Sequence, residues 1–507
     1  MRIIDFYESD RQAHWLEQIA ASEWDAGKLL HELLATGRFH TWAGAGSTVL
    51  LLTDGDTLAA YCTFAEQDDI QPAPYGPWIG FVYTAPAYRG QHLAGRLIRH
   101  AENLALWAGR TSVHISTGYE GLYEKYGYRF RETLRELHGE PVRVYEKRLT
   151  RGGMLSVFHA DSGRKYFSAE DWRGFIDCAA DSGLDAVELT VGNGGWRFLL
   201  DDAHMALEAE GQLWPGEAVA AALREGNRAY HDCGVNELTE AEMEGILAHA
   251  RERGVGVIPL LNSPGHMQAV VTAMQRLGVQ GASYRGSESA ADLESPAALG
   301  FVTALVHRYI DWFTERGVRA VNLGADEYAN DRDATVPGFA RLQEGGGEGY
   351  RRFLRYINAQ TAYVRARGAV PLLFNDGMYY AGAAEDVDPH AVSAYWCPGW
   401  KGYDLAPAAL VAGKGHPVLN TNWAWYYVLG RSGEGKDTPD FSFEKALAGI
   451  GRVSGAEVAG DPGGVRPIGR MLCLWCDEPG APYDATEKAR VRELMRRFGE
   501  ANPPAQA

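Results

Sequence analysis

Short apolar runs alternate with longer amphipathic segments from residue 155 to the end of the chain. Such strict β–α alternation favours a closed parallel (β/α)8 barrel over an open sheet. We therefore predict an α/β protein with a barrel domain over residues 154–507. The eight predicted strands lie near 155–158, 186–190, 255–261, 320–323, 370–374, 391–395, 417–420 and 471–475.

The first 150 residues follow another pattern. A helical stretch near residues 11–34 precedes strand-like runs at 48–53, 58–64 and 78–84, and a helical pattern follows at 96–108. This order predicts a separate α+β domain over residues 1–150. Only Thr150-Arg151-Gly152-Gly153 lies between the two predicted domains, which is too short for a flexible linker.

Charge and hydropathy limit the classes of partner. The net charge of -17 disfavours nucleic acid and anionic membranes as partners. No stretch approaches the roughly 18 apolar residues of a membrane span, and Asp5 interrupts the start before an apolar run develops. We expect a cytoplasmic protein that binds small molecules, and a homo-oligomer is compatible with the sequence.

Polar and aromatic residues follow each predicted barrel strand, where active sites of such barrels lie. Tryptophans, carboxylates and amides at one mouth are typical of a sugar pocket, since aromatic faces stack on pyranose rings and polar groups bind hydroxyls. The runs are 161–166, 192–197, 262–266, 324–331, 375–377, 395–400, 420–427 and 475–478.

The acidic pair Asp326-Glu327 follows the fourth predicted strand. Neighbouring side chains alternate across a strand, so both acids reach one substrate only if the backbone turns irregularly, as Gly324 permits. The alternative is a solvated surface pair.

These motifs resemble glycoside hydrolase family 20, in which the third-strand motif ends in Pro-Gly-His and the fourth in Asp-Glu. The stretches that carry the resemblance are Asn262-Ser263-Pro264-Gly265-His266-Met267, Asp326-Glu327-Tyr328-Ala329-Asn330-Asp331 and Trp425-Tyr426-Tyr427. They are especially similar to those of bacterial exo-β-N-acetylglucosaminidases.

The resemblance implies a β-N-acetylhexosaminidase in which the substrate's own acetamido oxygen is the nucleophile. Glu327 would be the acid and base, Asp326 would bind the acetamido N–H, and either Tyr426 or Tyr427 would bind its oxygen. The implied chemistry requires no metal and no cofactor in the barrel.

Further residues are implied to bind the sugar. Arg164 and Asp477 would bind hydroxyls, although Asp477 stands where the family commonly has glutamate. His266 would tune the acid. The alternatives are core packing for each tryptophan and for His266, and a salt bridge for Arg164. The remaining predicted pocket residues are Trp396, Trp425, Trp475, Asn375 and Asn422.

In the first domain, a strand, a glycine-bearing turn and a helix follow in order, an arrangement that directs backbone N–H groups at a pyrophosphate. The run from Tyr88 to Gly95 resembles the acetyl-CoA loop of GNAT acetyltransferases, with His92 where the family has glycine. The implied acetyl-CoA site comprises Val82, Thr84, Arg89, Gly90, Gln91, His92, Leu93, Ala94 and Gly95, with Tyr123 as the acid.

Three hypotheses follow. A bifunctional enzyme would acetylate an amino sugar in the first domain and cleave N-acetylhexosaminides, mainly of GlcNAc, in the barrel. An active hydrolase with a noncatalytic GNAT-like module is the second, and His92 favours it. A sugar-binding barrel without turnover is the third, and the intact Asp326-Glu327 pair argues against it.

Overall fold

A computed structural model describes residues 1–70, 72, 74–229, 237–333, 335–431, 440–453, 455, 457–461 and 464–502. The chain forms two compact units. Unit 1 comprises Met1–Thr150 with Ala366–Gly368, and unit 2 comprises Arg151–Arg365 with Ala369–Ala507.

Unit 1 is a mixed seven-stranded sheet in the order β1-β2-β3-β4-β5-β7-β6. Helix α4 covers one face, and α1 and α2 cover the other. The strands are β1 (Arg2–Asp5), β2 (Thr48–Asp54), β3 (Thr57–Ala65), β4 (Trp78–Thr84), β5 (Ser112–Thr117), β6 (Arg129–Arg135) and β7 (Pro141–Arg148). The helices are α1 (Gln12–Ala20), α2 (Asp25–Ala35), α3 (Phe39–Ala43) and α4 (Leu93–Trp107).

Two features of this sheet matter for a ligand site. The predicted helix over 11–34 is two helices, which places Ser22, Glu23 and Trp24 in the connection between α1 and α2. Strands β4 and β5 run parallel and pair only at Trp78 and His114, whereas all other neighbouring strands of this sheet are antiparallel. The sheet is therefore weakly joined at its centre.

Unit 2 is a closed parallel barrel, which confirms the predicted fold. Its eight strands pair in the order β8-β9-β13-β14-β15-β16-β17-β19, and β19 pairs again with β8. These barrel strands are β8 (Leu155–Ala160), β9 (Ala186–Asn193), β13 (Gly256–Leu261), β14 (Ala320–Asn322), β15 (Val370–Phe374), β16 (Val392–Tyr395), β17 (Val418–Asn420) and β19 (Gly469–Trp475). Four short strands outside this order are β10 (Gly195–Trp196), β11 (Leu207–Ala209), β12 (Gln212–Trp214) and β18 (Tyr427–Val428).

Helices surround this barrel and begin at clear sequence signals. Ser168 with Asp171, and Thr239 with Glu242, form reciprocal capping boxes at two helix starts. None of the helices within the described ranges is long and apolar enough to cross a membrane. The helices of unit 2 are α5 (Ala169–Asp181), α6 (Asp202–Met205), α7 (Gly216–Ala229), α8 (Glu240–Arg253), α9 (Gln268–Arg276), α10 (Pro296–Glu315), α11 (Gly338–Gln343), α12 (Glu348–Ala366), α13 (Ala408–Gly413), α14 (Phe443–Arg452) and α15 (Ala485–Glu500).

Candidate active site

The backbone after β14 turns irregularly, as the sequence predicts. Gly324, Ala325 and Glu327 have φ values of 71°, 67° and 42°, so the chain leaves the extended conformation at once. A Cβ on Gly324 would stand 2.0 Å from Oδ1 of Asn262, so only glycine fits there. Because strand alternation is lost, Asp326 and Glu327 both face one site.

That site is centred on His266. Its Nε2 lies 3.3 Å from Oδ2 of Asp326 and 3.4 Å from Oε2 of Glu327. Burial opposes a charged imidazole, yet the charge of Asp326 and the hydrogen bonds to Asp326 and Glu327 raise the pKa of His266 to about 10. The histidine is therefore an imidazolium at neutral pH.

Asp326 is held as a carboxylate. Burial alone would raise its pKa, but His266 and the hydrogen bond from Asn262 Nδ2 at 2.8 Å lower it below the ordinary value. The side chain is thus fixed from two sides and charged. It is suited to accept a hydrogen bond from a substrate N–H.

The grouping of His266, Asp326 and Glu327 also has the dimensions of a metal site, because one ligand atom of each lies within 4.8 Å of the others. The spacing of these three residues in the sequence does not predict a metal site. A protonated imidazole competes with a metal ion for the same nitrogen, so the ion pairs favour the metal-free arrangement.

Three aromatic rings line the same mouth. Trp396 stacks on Tyr426 with ring centroids 6.2 Å apart and an interplanar angle of 11°. Trp475 lies 5.7 Å from Tyr426 and 6.1 Å from Phe374 at the end of β15. These rings form a curved apolar wall suited to a pyranose.

Arg164 and Asp477 meet at the ends of β8 and β19, which are neighbouring strands. Nη1 of Arg164 donates to Asp477 Oδ1 at 3.1 Å and to the buried Asp161 at 3.0 Å. The guanidinium carbon lies 5.8 Å from the centre of the Trp475 ring. The guanidinium of Arg164 therefore places its N–H donors beside the Trp475 ring of the aromatic wall.

The predictions for Trp425 and Tyr427 are wrong. The Trp425 indole donates to the carbonyl of Met471 at 2.7 Å, and its ring packs on Phe498 of α15. The Tyr427 hydroxyl donates to Glu487 of α15. Trp425 ends the 3-10 turn Trp423–Trp425, so its side chain is directed toward the helix layer by the turn. Tyr426 and Tyr427 are consecutive extended residues whose side chains alternate, so Tyr427 faces the helix layer and Tyr426 faces the mouth.

The predictions for Asn375 and Asn422 also need correction. Asn375 donates to the carbonyl of Cys397 at 3.0 Å and accepts from Trp396 N at 2.9 Å. Asn422 accepts from Ala424 N at 2.9 Å and donates to the carbonyl of Glu457 at 3.2 Å. Since both amide atoms of each residue bond the chain, these residues support strand-end loops.

Asp376 is a site residue that sequence reasoning missed, although it follows Asn375 directly. Its Oδ1 accepts from the Trp396 indole at 2.5 Å, and its Oδ2 accepts from the Tyr403 hydroxyl at 2.8 Å. Burial, followed by the charges of Asp326 and Glu327, raises its pKa to about 8. The sequence signal that identifies Asp376 is its position at the end of a strand, one residue after the predicted site residue Asn375.

In unit 1, the predicted acetyl-CoA loop joins β4 to α4. His92 adopts the left-handed conformation with φ 57°, and Gly90 has φ 81°. Within the described residues, the backbone N–H groups from Gly90 to Gly95, which include those of Gln91, Leu93 and Ala94, donate no hydrogen bond. Six free donors at a helix N-terminus fit a pyrophosphate.

The side chains around this loop have mixed roles. Arg89 pairs with Glu23 at 2.6 Å and donates to the carbonyl of Thr84 at 3.1 Å. Leu93 is buried in the core, and Gly95 leaves room for the Tyr126 ring, which lies 2.6 Å from where a Cβ would stand. Val82, on β4, packs partly buried against the same core. The backbone of this loop thus offers more free hydrogen-bond donors than its side chains.

Tyr123 begins a 3-10 turn, Tyr123–Tyr126, and is largely buried. Burial, with smaller contributions from Cys62 and neighbouring tyrosines, raises the pKa of its hydroxyl. A phenol that keeps its proton at neutral pH is suited to act as an acid.

Residues 155–447 match the model of the glycosyl hydrolase family 20 catalytic domain. The chain belongs to glycosyl hydrolase family 20. This match covers more than half of the chain, so the barrel is the catalytic domain of a glycoside hydrolase. Residues 12–128 match the acetyltransferase (GNAT) family model, which identifies unit 1 as a GNAT domain.

Known structures and sequences resemble the family 20 barrel. A catalytic module of the pneumococcal exo-β-D-N-acetylglucosaminidase is 34% identical, with a TM-score of 0.65, over 69% of this chain and 84% of that one. Dispersin B is 19% identical with a TM-score of 0.50 over 69% of this chain and 98% of its own, and it supports the fold alone. Lacto-N-biosidase of Bifidobacterium bifidum is 28% identical over 194 residues, which are 37% of this chain and 17% of that enzyme.

Proposed function

We propose that the barrel is an exo-acting β-N-acetylhexosaminidase, mainly for terminal GlcNAc, that works by substrate-assisted retaining hydrolysis. The observation that carries this proposal is the convergence of Asp326 and Glu327 on one site beside the aromatic wall. An acid and a separate, fixed carboxylate are the two groups that an acetamido nucleophile requires.

In the first step, the acetamido oxygen of the sugar attacks the anomeric carbon. Glu327 gives its proton to the leaving glycosidic oxygen as the C–O bond breaks. Asp326 accepts the acetamido N–H and stabilises the positive charge of the oxazolinium ion. The ion pair with His266, which is present before the substrate binds, keeps Asp326 ionised so that it can accept the acetamido N–H.

Tyr426 is the tyrosine that we assign to the acetamido oxygen. It stacks on Trp396 at the mouth, and its buried hydroxyl makes no hydrogen bond that meets ordinary geometric criteria within the described residues. A phenol O–H there would orient the nucleophilic oxygen from the side opposite Asp326.

In the second step, Glu327 as a carboxylate takes a proton from water, which attacks the anomeric carbon and opens the ring of the oxazolinium ion. The product keeps the β configuration. Asp376 is unsuited as a protein nucleophile because both of its oxygens already accept hydrogen bonds. The absence of a free carboxylate oxygen on Asp376 favours the acetamido oxygen of the substrate as the nucleophile.

Arg164 and Asp477 would bind the hydroxyls of the terminal sugar beside Trp475. Their ion pair joins the ends of β8 and β19, which lie across the barrel from β14, the strand before Glu327. Binding of the terminal sugar's hydroxyls there would leave one sugar residue between this pair and the acid, which is why we propose exo action on small glycans and glycosides.

The test is release of the chromophore from an aryl β-GlcNAc. We expect Glu327→Gln and Asp326→Asn to lose activity by a factor of 100 or more, while Glu244→Gln, an exposed acid on α8, retains it. A thiazoline analogue of the oxazolinium ion should inhibit wild type tightly. Equal cleavage of an aryl β-glucoside lacking the acetamide would refute the mechanism.

For unit 1 we propose coupled acetylation: acetyl-CoA would be the donor and an amino sugar the acceptor. A sugar with a free amine cannot form the oxazolinium ion, so acetylation would convert it into a substrate of the barrel. The six free N–H donors of the loop support cofactor binding, and a noncatalytic module is the competing function. Calorimetric titration with acetyl-CoA separates them, because absence of binding excludes coupling.

A further inference from the structure

Three polar side chains are buried inside the barrel beneath the sugar pocket. His159 lies on β8, Glu188 on β9 and Asn322 on β14, and each is 0% exposed. The interior of such a barrel is ordinarily filled by bulky apolar residues, and burial of a polar or charged group is unfavourable unless hydrogen bonds satisfy it. The presence of these three residues therefore indicates a role that an apolar core would not fill.

The three residues form one hydrogen-bonded chain across the barrel interior. His159 Nδ1 lies 2.8 Å from Oε1 of Glu188, and Asn322 Nδ2 donates to Oε2 of Glu188 at 2.9 Å. His159 and Glu188 are register partners on neighbouring strands. The contact between Glu188 and Asn322 spans β13, which lies between β9 and β14. Both oxygens of the Glu188 carboxyl are thus occupied, and the chain joins three strands.

At one end the chain reaches the turn that carries the two acids. Asn322 Oδ1 accepts a hydrogen bond from the backbone N–H of Gly324 at 2.9 Å. Gly324 is the residue at which the backbone leaves the extended conformation, two positions before Asp326. Because the amide of Asn322 is planar and its nitrogen is bound to Glu188, the direction of its oxygen is fixed. The start of the turn is therefore fixed with it.

At the other end the chain lies under the aromatic wall. The centre of the His159 ring is 4.4 Å from that of Trp475, which is closer than the Tyr426 ring at 5.7 Å. The Trp396 indole is held by its hydrogen bond to Asp376, but the indole N–H of Trp475 makes no hydrogen bond within the described residues. The orientation of Trp475 therefore depends on ring packing, and the His159 ring lies directly against it.

His159 is itself oriented from one side. Its Nε2 is buried and makes no hydrogen bond in the part of the chain that the structure describes. The Glu188 carboxyl is therefore the group that fixes the plane of the imidazole. A displaced Glu188 would turn this ring under Trp475 and, through Asn322, would change the turn at Gly324. One buried carboxyl thus links the two sides of the site.

We propose that Glu188 is a positioning residue that orients the aromatic wall relative to the acidic pair. It acts on Trp475 through His159 and on the turn at Gly324 through Asn322. Glu188 is fully buried and touches no substrate atom. The inference rests on the proposed glycosidase function of the barrel, and it adds that the sugar-binding and proton-transfer parts of the site are set by one network.

The two ends of the network predict different kinetic effects. The wall binds the sugar ring in the ground state and in the transition state alike, so its displacement raises KM, whereas displacement of the acidic pair lowers kcat. His159→Asn keeps an N–H donor near the position of Nδ1 but removes the ring, so KM for an aryl β-GlcNAc should rise about tenfold with kcat within threefold. Asn322→Ala releases the N–H of Gly324, so kcat should fall about 30-fold with KM within threefold.

Substitutions of Glu188 test the link between the two ends. Glu188→Ala removes both hydrogen bonds, so KM should rise and kcat should fall in the same variant. Glu188→Gln should return both constants to within threefold of wild type. Its amide oxygen accepts from Asn322, and its amide N–H donates to His159 in the tautomer that carries the proton on Nε2.

His416→Asn is the matched control. His416 is likewise buried, at 3% exposed, and its two nitrogens contact the Tyr379 hydroxyl and the Ala391 carbonyl. This variant should lose stability while KM and kcat stay unchanged. All constants are referred to the folded fraction, measured by circular dichroism at the assay temperature, so that loss of folded protein does not imitate loss of positioning.

The outcomes separate this inference from the proposed function. A wild type that does not cleave the aryl β-GlcNAc overturns both. Cleavage by wild type together with unchanged constants in folded Glu188→Ala, or with equal losses in Glu188→Ala and Glu188→Gln, overturns the positioning role alone. Where Glu188→Ala does not fold, the same change of KM and kcat in His159→Asn and Asn322→Ala overturns it.

Discussion

Trp396 and Asp376 form a 2.5 Å hydrogen bond that fixes the aromatic wall to a buried acid. The Tyr403 hydroxyl occupies the other carboxyl oxygen at 2.8 Å. Asp376 therefore orients the indole plane, and the charges of Asp326 and Glu327 contribute to its raised pKa.

Asp376 should make stability depend on pH. Its pKa of about 8 in the folded protein exceeds the unfolded value of about 3.9, so the folded state binds the additional proton between these limits. Its contribution to the free energy of unfolding is present at low pH and is lost as pH rises toward 8. The Asp376→Asn variant has no titrating group at this position, so its free energy of unfolding relative to that of wild type should increase between pH 5 and pH 8. An equal difference between variant and wild type at the two pH values, measured by urea denaturation, would contradict this prediction.

Tyr426→Phe and Tyr427→Phe form a matched pair. The first should lower kcat/KM for an aryl β-GlcNAc by about 100-fold, because the hydroxyl that donates a hydrogen bond to the nucleophilic acetamido oxygen is lost. Its stability should change little. The second should leave kcat/KM within threefold and lower the free energy of unfolding by about 1–2 kcal/mol, because Oε2 of the buried Glu487 loses its hydrogen-bond donor while Oε1 keeps Arg490. Reversed results would assign the acetamido oxygen to Tyr427.

Gly324→Ala should disrupt the acidic pair. The added Cβ would collide with Asn262, and φ 71° is strained for alanine, so activity and stability should both fall, the latter by more than about 2 kcal/mol. Gly317→Ala is the control: its φ is 86°, yet no atom lies within 4 Å of the added carbon. Equal losses of activity and stability in the two variants would show that backbone strain, and not the collision with Asn262, causes the effect.

His266→Gln should move the acid limb of the kcat/KM profile to higher pH. The imidazolium is the largest factor that lowers the pKa of Asp326. Without it, burial raises that pKa, and the carboxylate is protonated at a pH where wild type is still active. His249→Gln, on α8 and paired with Asp177, should leave the limb in place. A profile unchanged by His266→Gln would exclude the ion pair as the cause.

His92→Gly should stabilise unit 1. Glycine relieves the left-handed strain at φ 57°, which costs about 1 kcal/mol, and the free N–H groups of the loop remain. Gln91→Gly, at a residue with negative φ, should instead destabilise. Thermal unfolding with and without acetyl-CoA measures both, and weaker acetyl-CoA binding by His92→Gly would assign a binding role to the imidazole.

The barrel strands were predictable because a parallel sheet buries both faces, so each strand is a short apolar run. Strand β6 reads Arg-Phe-Arg-Glu-Thr-Leu-Arg and has no such run, since it is the exposed edge of the unit 1 sheet. Its existence depends on pairing with β7, which sequence periodicity does not reveal. Strands β1, β5 and β7 were missed with it.

The site was predictable at the level of strand ends but not of single side chains. The choice between Tyr426 and Tyr427 depends on the turn at Trp423–Trp425. Likewise, Asn375 and Asp376 differ by one position, and only the tertiary contacts show that the acid faces the wall. Motif resemblance identifies a segment, whereas backbone geometry decides which neighbour reaches the ligand.

Closure of the barrel has a consequence for synthesis on the ribosome. Strand β19, the last strand of the barrel, pairs with β8, the first strand of unit 2, and it brings Asp477 to Arg164. Until β19 has emerged, β8 and β17 each present an open edge, and such edges invite pairing with other chains. The nascent chain can thus fold residues 1–150 before the barrel closes, whereas the glycosidase pocket forms only once β19 has been synthesised.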